Sequence, residues 1–417
     1  MPNPEPQNKP VSNDCILSKS RGKIILVCPG AHYPAHNWPN TMALMRALRQ
    51  KDINARAVTF STTVGPISPD LQGSVEPVFA RMPAGWKQAA AGSWSERRFF
   101  RLRNICETLA CLFKALQQVR GQPKPILHFN GGSYWIVMLA ALWMKRVRFV
   151  FSLSGGILTG PAGGLKALLR RRLKKLLQRA AATGRIEFAC ETEFQYEETR
   201  LLLGTHCHLI PLAIDDTGVF PTQEEARRQL GLGLEEKILL YYGTHRKEKD
   251  YYTALKGSLL LPDPPLALFV GKVISTNDPQ RVVAECGYPK ARIVDKFVDE
   301  TESRVFFAAA DVVVLPYEAS FARGSQVLIE CCRSLRPVLA SATPYFSKFL
   351  ERFKCGVTYI PGDSGSFAEA TRRLLADAAG FRPALEQARH VHSWPVLADQ
   401  YIKLYDQLIN GRTGSQS

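Results

Sequence analysis

Short apolar runs alternate along the chain with longer stretches whose apolar positions recur every three or four residues. The runs Lys23–Cys28, Ala55–Phe60, Ile126–Phe129, Arg148–Leu153 and Ile186–Cys190 read as strands. Helical patterns lie between them, such as Asn40–Gln50 and Leu165–Arg179. A strand that is apolar on both faces must be covered on both faces. Strands separated by helices then form a parallel sheet. The segment Pro211–Gly218 (PLAIDDTG) interrupts this order, and the order then begins again. Lys237–Tyr242, Leu266–Val270, Asp311–Leu315 and Pro337–Ser341 read as strands, with helices over Asp250–Leu259 and Gly324–Ser334. The pattern therefore predicts an α/β protein of two Rossmann-like, doubly wound domains. Ligands of such sheets sit at the carboxyl ends of the strands, so the site is expected in a central cleft between the domains.

The expected boundaries follow from composition. Residues 1–21 and 411–417 read as disordered tails, 22–213 as the first domain and 214–392 as the second, with a helix over 393–410. Hydrophobic residues make up 46% and charged residues 22%, the balance of a chain that builds cores. Lys and Arg number 54 against 37 Asp and Glu, a formal charge of +17. That excess favours anionic partners: phosphate substrates, nucleic acid or an acidic membrane surface. Nucleic acid is disfavoured, because no aromatic-and-basic platform or helix-turn-helix signature accompanies the charge. The longest apolar stretch, Tyr134–Met144, is too short to span a bilayer. The amino terminus lacks the apolar region of a secretory signal. The ten cysteines form no C-x-x-C pair, so no zinc spacing arises and a reduced, cytoplasmic setting is expected.

Candidate chemistry concentrates in the second half. Tyr241–Asp250 (YYGTHRKEKD) follows a strand and opens a helix. There Gly243 permits close approach of a ligand, and Arg246 and Lys249 can neutralise a diphosphate beside outward-pointing amides. The same residues also fit a solvated turn. In Leu315–Ser341 a strand ends at Pro316, a loop carries Arg323-Gly324-Ser325-Gln326, and a helix starts. This is a second anion cradle. Glu330 lies within the helix, where a carboxylate can accept both hydroxyls of a ribose or balance Arg323 or Arg333.

In these motifs the chain resembles family 4 glycosyltransferases of the GT-B fold. The family's G-x-x-R-x-x-K is Gly243, Arg246 and Lys249. Its G-F-V-x-D/E is matched by Lys296-Phe297-Val298-Asp299-Glu300, and its A-D-V-x-V-L-P by Ala310–Pro316. Its E-A run and P-V-I-A-S are Glu330-Cys331 and Pro337–Ser341. Its interdomain motif is Ile210–Asp215, and its closing motif runs from Ser393-Trp394 through Ala398, Tyr401, Leu404 and Tyr405.

The resemblance implies the following roles. Arg246 and Lys249 hold the donor diphosphate, and Glu330 binds the donor ribose. Gly324, Ser325, Gln326 and Val327 cradle phosphate or sugar with their amides. The backbone at Phe297 and Val298 reads the nucleobase. His245 touches the donor, and Gly30 faces it from the first domain. The closing helix crosses back to the first domain. The reaction is hexosyl transfer from a nucleoside diphosphate sugar, retaining and metal-independent, with no cofactor.

Departures from the family pattern are specific. The first of the family's paired glutamates falls on Ala322, with Glu318 four positions too early. The arginine after the phosphate-loop glycine is Thr244, the glycine before P-V is Leu335, and a histidine near the sugar is replaced by Ser154. His32 and His36 lie on a loop after the first strand and read equally as surface residues. His128 ends a buried strand and reads as a core residue.

Leu165–Arg179 (LKALLRRRLKKLLQR) has leucines 165, 168, 169, 173, 176 and 177 on one face and seven basic residues on the other. This suits a helix lying on an anionic membrane, and equally a packed helix with a basic outer face. A second basic stretch, Glu96–Arg103, leads another helix. A sugar or lipid-linked acceptor, a peripheral place on the inner membrane face and a role in cell-envelope or exopolysaccharide synthesis are the expectations. Two alternatives stand beside them. One is a catalytically silent GT-B nucleotide-binding subunit, motivated by Ala322 and Ser154. The other is an enzyme like UDP-N-acetylglucosamine 2-epimerases, motivated by Thr244–Glu248 (THRKE).

Overall fold

The computed structural model describes residues 24–30, 37–61, 67, 69–81, 94–153, 164–204, 207–214, 218–321 and 324–410. Ser154, Ala322, Arg323, His32, His36, Asp215 and both tails lie outside the described residues. The chain divides into two compact units, Met1–Pro211 with Trp394–Ser417, and Leu212–Ser393.

The first unit holds a seven-stranded sheet. Its strands are β1 (Ile24–Cys28), β2 (Ala55–Ser61), β3 (Val75–Phe79), β4 (Ile126–Asn130), β5 (Arg148–Leu153), β6 (Ile186–Cys190) and β7 (Cys207–Leu209). They lie in the order β3-β2-β1-β4-β5-β6-β7, parallel throughout. Central strands such as β1 and β6 are buried at every position. A row of rings crosses the middle of the sheet. Phe151 stacks on Phe188 at 5.7 Å and on Phe149 at 6.4 Å.

The helix Trp394–Asn410 belongs to this unit. Its Tyr405 hydroxyl lies 2.7 Å from His128 Nδ1, and Ser152 Oγ lies 2.8 Å from His128 Nε2. Ser152 Oγ is in turn 3.2 Å from the Tyr401 hydroxyl. His128 is the core residue of the pattern, 1% exposed, and burial pulls its pKa down to about 3. An unfolded histidine titrates near 6.5. Between those values the unfolded chain binds the extra proton, so stability falls as pH drops through the window. Tyr405→Phe leaves the imidazole without that partner and is expected to cost about 1–3 kcal/mol. Urea unfolding at pH 7 and at pH 5 measures both effects.

The second unit holds six parallel strands. These are β8 (Ile238–Tyr242), β9 (Leu266–Val270), β10 (Ala291–Val294), β11 (Val312–Leu315), β12 (Val338–Ser341) and β13 (Gly356–Tyr359). The order is β10-β9-β8-β11-β12-β13. Ile238 and Leu240 enter one core, and Leu239 and Tyr241 the other. Strand alternation thus feeds two buried layers, as a doubly wound sheet requires. The helix Gln223–Leu230 starts with a capping box between Thr222 and Glu225. Leu335, where the family pattern has glycine, closes the helix Gln326–Ser334 in a left-handed conformation, φ +54°.

Candidate functional site

The site forms where β8, β9 and β11 end. Gly243 follows β8 with φ +88°, a conformation glycine adopts without strain. Its N–H donates to Val270 O at 2.9 Å, and the Gly271 N–H donates to Val294 O at 3.0 Å. A methyl group on Gly243 would lie 3.4 Å from Val327 Cγ2 and 3.9 Å from Lys249 Nζ. Residues separated widely in sequence therefore meet at one strand end.

The loop after Gly243 is clamped from two sides. On one side the His245 N–H donates to Lys272 O at 2.9 Å, Ser275 Oγ donates to His245 O at 3.0 Å, and Asn277 Nδ2 donates to Arg246 O at 3.1 Å. On the other, the Glu318 N–H donates to Glu248 O at 2.9 Å. This clamp seats Lys249, 5% exposed, with Nζ donating to Tyr242 O at 2.8 Å. Its ammonium lies 5.9 Å from the Tyr317 ring centre. Burial first, and then the charge of Arg246, lowers the Lys249 pKa to about 7. Arg246 is exposed, and its Nε donates to Thr244 Oγ at 3.1 Å. Two neighbouring cations, one of them desolvated, form an arrangement that an arriving anion relieves.

The second arm is the helix Gln326–Ser334. Ser325 is its N-cap, accepting the Leu328 N–H at 3.4 Å. Such a cap is worth about 1 kcal/mol. The hydroxyl is thus committed to the helix, while the amides of Gln326 and Val327 have no earlier turn to bond. Gly324 precedes them, half-buried. One turn on, Glu330 has about a fifth of its side chain exposed, 21%. Burial raises its pKa above the usual carboxylate value, opposed by Arg333 and by a hydrogen bond from Gln326. Arg333 Nη1 donates to Glu330 at 3.3 Å, and Nη2 donates to Glu300 at 2.9 Å. Burial also raises the Tyr242 hydroxyl, with smaller contributions from the charges of Glu330 and Asp299. Tyr242 therefore belongs to the surroundings of Glu330.

Phe297 follows β10 and is 67% exposed, an open aromatic face. Val298 beside it packs on the core. Asp299 then caps the next helix, accepting the Glu302 N–H at 2.9 Å. Gly30 is half-buried just beyond β1 in the first unit.

The His245 side chain, expected at the donor, is turned inward in this structure. His245 is fully buried, with Nδ1 2.6 Å from the Tyr251 hydroxyl and its ring against Phe269. Its main chain pairs with Val273, which turns the ring into the core. Burial, then Lys249, lowers its pKa to about 3, so it fills and anchors the loop as a neutral ring. Sequence reasoning passed over Tyr242, Asn277 and the link from Arg333 on to Glu300. Only Tyr242 had a local signal, its place directly before Gly243. Among the described residues, no group of three His, Cys, Asp or Glu side chains is placed to hold a metal ion.

Residues 222–390 match the family described as glycosyl transferases group 1. The likeness to that family is confined to this segment. The segment contains every candidate residue except Gly30. A protein of Bacillus subtilis (strain 168), TuaC, provisionally named as a teichuronic acid biosynthesis glycosyltransferase, is 29% identical over 171 residues. That alignment takes in 40% of this chain and 41% of the relative, so the likeness spans about two fifths of each. The sucrose-phosphate synthase of Thermosynechococcus elongatus has a TM-score of 0.68 at 20% identity, covering 94% of this chain and all of that one. Anabaena HepE, solved with UDP and glucose, has a TM-score of 0.63 at 13% identity, covering 93% of this chain and all of that one. The two Rossmann-like units are those of the GT-B fold.

Proposed function

We propose that the protein transfers a hexose from a nucleoside diphosphate sugar to a sugar or lipid-linked acceptor. One observation carries this reading: Gly243, the buried Lys249 and the first turn of the Gln326 helix meet at one strand end, inside the segment that matches the family. Lys249, Arg246 and the Gln326 and Val327 amides stabilise negative charge on the leaving diphosphate as the sugar–oxygen bond breaks. Glu330 accepts the ribose hydroxyls, and Phe297 offers a face beside the nucleobase. Fixed cations and helix amides take the place of a metal. The sugar keeps its anomeric configuration. The acceptor oxygen forms the new bond as the departing phosphate oxygen takes its proton, so no protein base is needed.

Work at the inner membrane surface is the second part of the proposal. Leu177 of the basic helix Gly164–Ala181 is buried, but Leu168 and Leu176 are 50% and 38% exposed beside exposed Arg171, Arg172 and Lys175. Apolar and basic groups exposed together suit an anionic bilayer, each basic residue contributing on the order of 1 kcal/mol. Among the described residues, no helix is long and apolar enough to cross a membrane. The acceptor is then lipid-linked, and envelope or exopolysaccharide synthesis is the setting.

Thermal unfolding with UDP, GDP, ADP and their hexose conjugates, without added metal, tests the donor site. One diphosphate is expected to raise the melting temperature by several degrees at millimolar concentration. No rise with any of them overturns the reading. Binding without turnover on any acceptor favours the silent subunit.

A further inference from the structure

The second unit contains a cavity of about 510 Å³ away from the phosphate loop. Arg333, Arg336, Arg382 and Arg389 line it, with Phe220 and Leu335 as apolar walls. The arginines come from two helices and the turn between a helix and β12. Arg333 and Arg336 sit at the carboxyl end of the Gln326 helix, where a cation is favoured. Arg382 opens the helix Arg382–Val391, where the helix dipole disfavours a cation. Arg389 lies in the last turn of that same helix, so helix electrostatics favours three of the four and leaves Arg382 unexplained.

Arg336 is the most telling member. Its Nη2 donates to Ala308 O at 2.8 Å, while its buried Nε has no hydrogen-bond partner. Burial, together with Arg227 and Arg382, lowers its pKa to about 10, against the pull of Asp311. Four guanidinium groups lining one cavity, one of them partly buried and short of a hydrogen-bond partner at Nε, form a site suited to an oxyanion. Forked donors suit phosphate above a single carboxylate. The Phe220 ring, 5.5 Å from the Arg333 guanidinium carbon, and Leu335 provide room for an organic body.

We propose that this cavity binds a small organic phosphate, and that occupancy weakens the donor site through Arg333. Arg333 both lines the cavity and holds Glu330 at 3.3 Å. A phosphate competing for that guanidinium leaves Glu330 less charged and a poorer acceptor for ribose hydroxyls. By linkage each ligand then weakens the other by one common factor. This coupling rests on the donor reading above; the pocket itself does not.

The test titrates glucose 6-phosphate and inorganic pyrophosphate into the full chain by calorimetry. The proteins are the wild type, Lys249→Met and Arg336→Gln/Arg389→Gln. Saturable binding of at least one probe is expected, retained in Lys249→Met and weakened roughly tenfold or more in the double arginine variant. The exposed Arg382→Gln, which leaves the other three arginines in place, should weaken it about threefold. No saturation up to about 10 mM, or binding untouched by both arginine variants, overturns the site. UDP affinity is then measured with and without saturating glucose 6-phosphate. A fall of roughly three- to tenfold is expected in the wild type and none in the double variant. Unchanged affinity overturns the coupling. If UDP does not bind at all, the donor reading fails while the first titration still decides the pocket.

Discussion

Lys249→Met is expected to lower kcat/KM for sugar transfer by roughly 10³-fold while leaving the fold intact. The ammonium sits 2.8 Å from Tyr242 O and beside Gly243, where the diphosphate of the proposed donor would lie. Methionine has nearly the same length and fills the same buried slot without a charge. The loss therefore reads electrostatics, not packing. A protonation signature accompanies it. The folded lysine titrates near 7 and an unfolded one near 10.5. Between those values the unfolded chain holds more protons, so this group makes stability rise with pH. Lys249→Met removes that slope. A bound diphosphate restores the charged form, so nucleotide binding at pH 8 should take up close to one proton. Calorimetry in two buffers of different ionisation enthalpy measures this uptake. Equal uptake in the variant, or unchanged kcat/KM, removes Lys249 from the site.

The strands legible in the sequence were the inner ones, and the physical reason is visible in their burial. The interior strands β1, β6 and β9 are buried at all five positions, which leaves an unbroken apolar run to be read. The strands that went unread are β3, β7, β10 and β13, which are the two edges of each sheet. β3 carries Glu76 and Pro77, and β10 has no fully buried position. An edge strand is half covered, short, and tolerant of proline, so its pattern sinks into that of a loop. Register and order also escaped, since both are set by long-range pairing.

The same division runs through the site. Gly243, Lys249 and Val327 lie where a phosphate loop and a helix start were expected, because those features are local. The placement of His245 is not legible locally: its neighbours in sequence are basic, while its neighbours in space are Tyr251 and Phe269. The sequence offers Arg333 only as a partner for Glu330. Its second partner, Glu300, and the cavity it lines are made by elements 33 to over 100 residues away. No spacing rule reaches that far.

Gly271 shows how a residue without a motif can govern the site. It follows β9 directly with φ +142°, and a methyl group there would lie 2.4 Å from Gly243 O and 2.6 Å from its carbonyl carbon. Those are backbone atoms, so no side chain can swing aside. Gly271→Ala must therefore move the Gly243 turn, and with it the carbonyl next to Lys249 Nζ. Adding the disallowed φ to this overlap gives an expected loss of about 3 kcal/mol in stability. Nucleotide affinity should fall at least tenfold, because the loop proposed to hold the diphosphate would be displaced by a sizeable fraction of an ångström. Gly287→Ala separates the two causes. Gly287 also has positive φ, +61°, but a methyl there meets nothing within 4 Å. It should cost about 1 kcal/mol and leave nucleotide affinity unchanged. Urea unfolding and nucleotide titration of both variants make the comparison. If Gly271→Ala binds nucleotide as the wild type does, the contact between the ends of β8 and β9 does not set the phosphate loop, and the donor site must be built from the Gln326 helix alone.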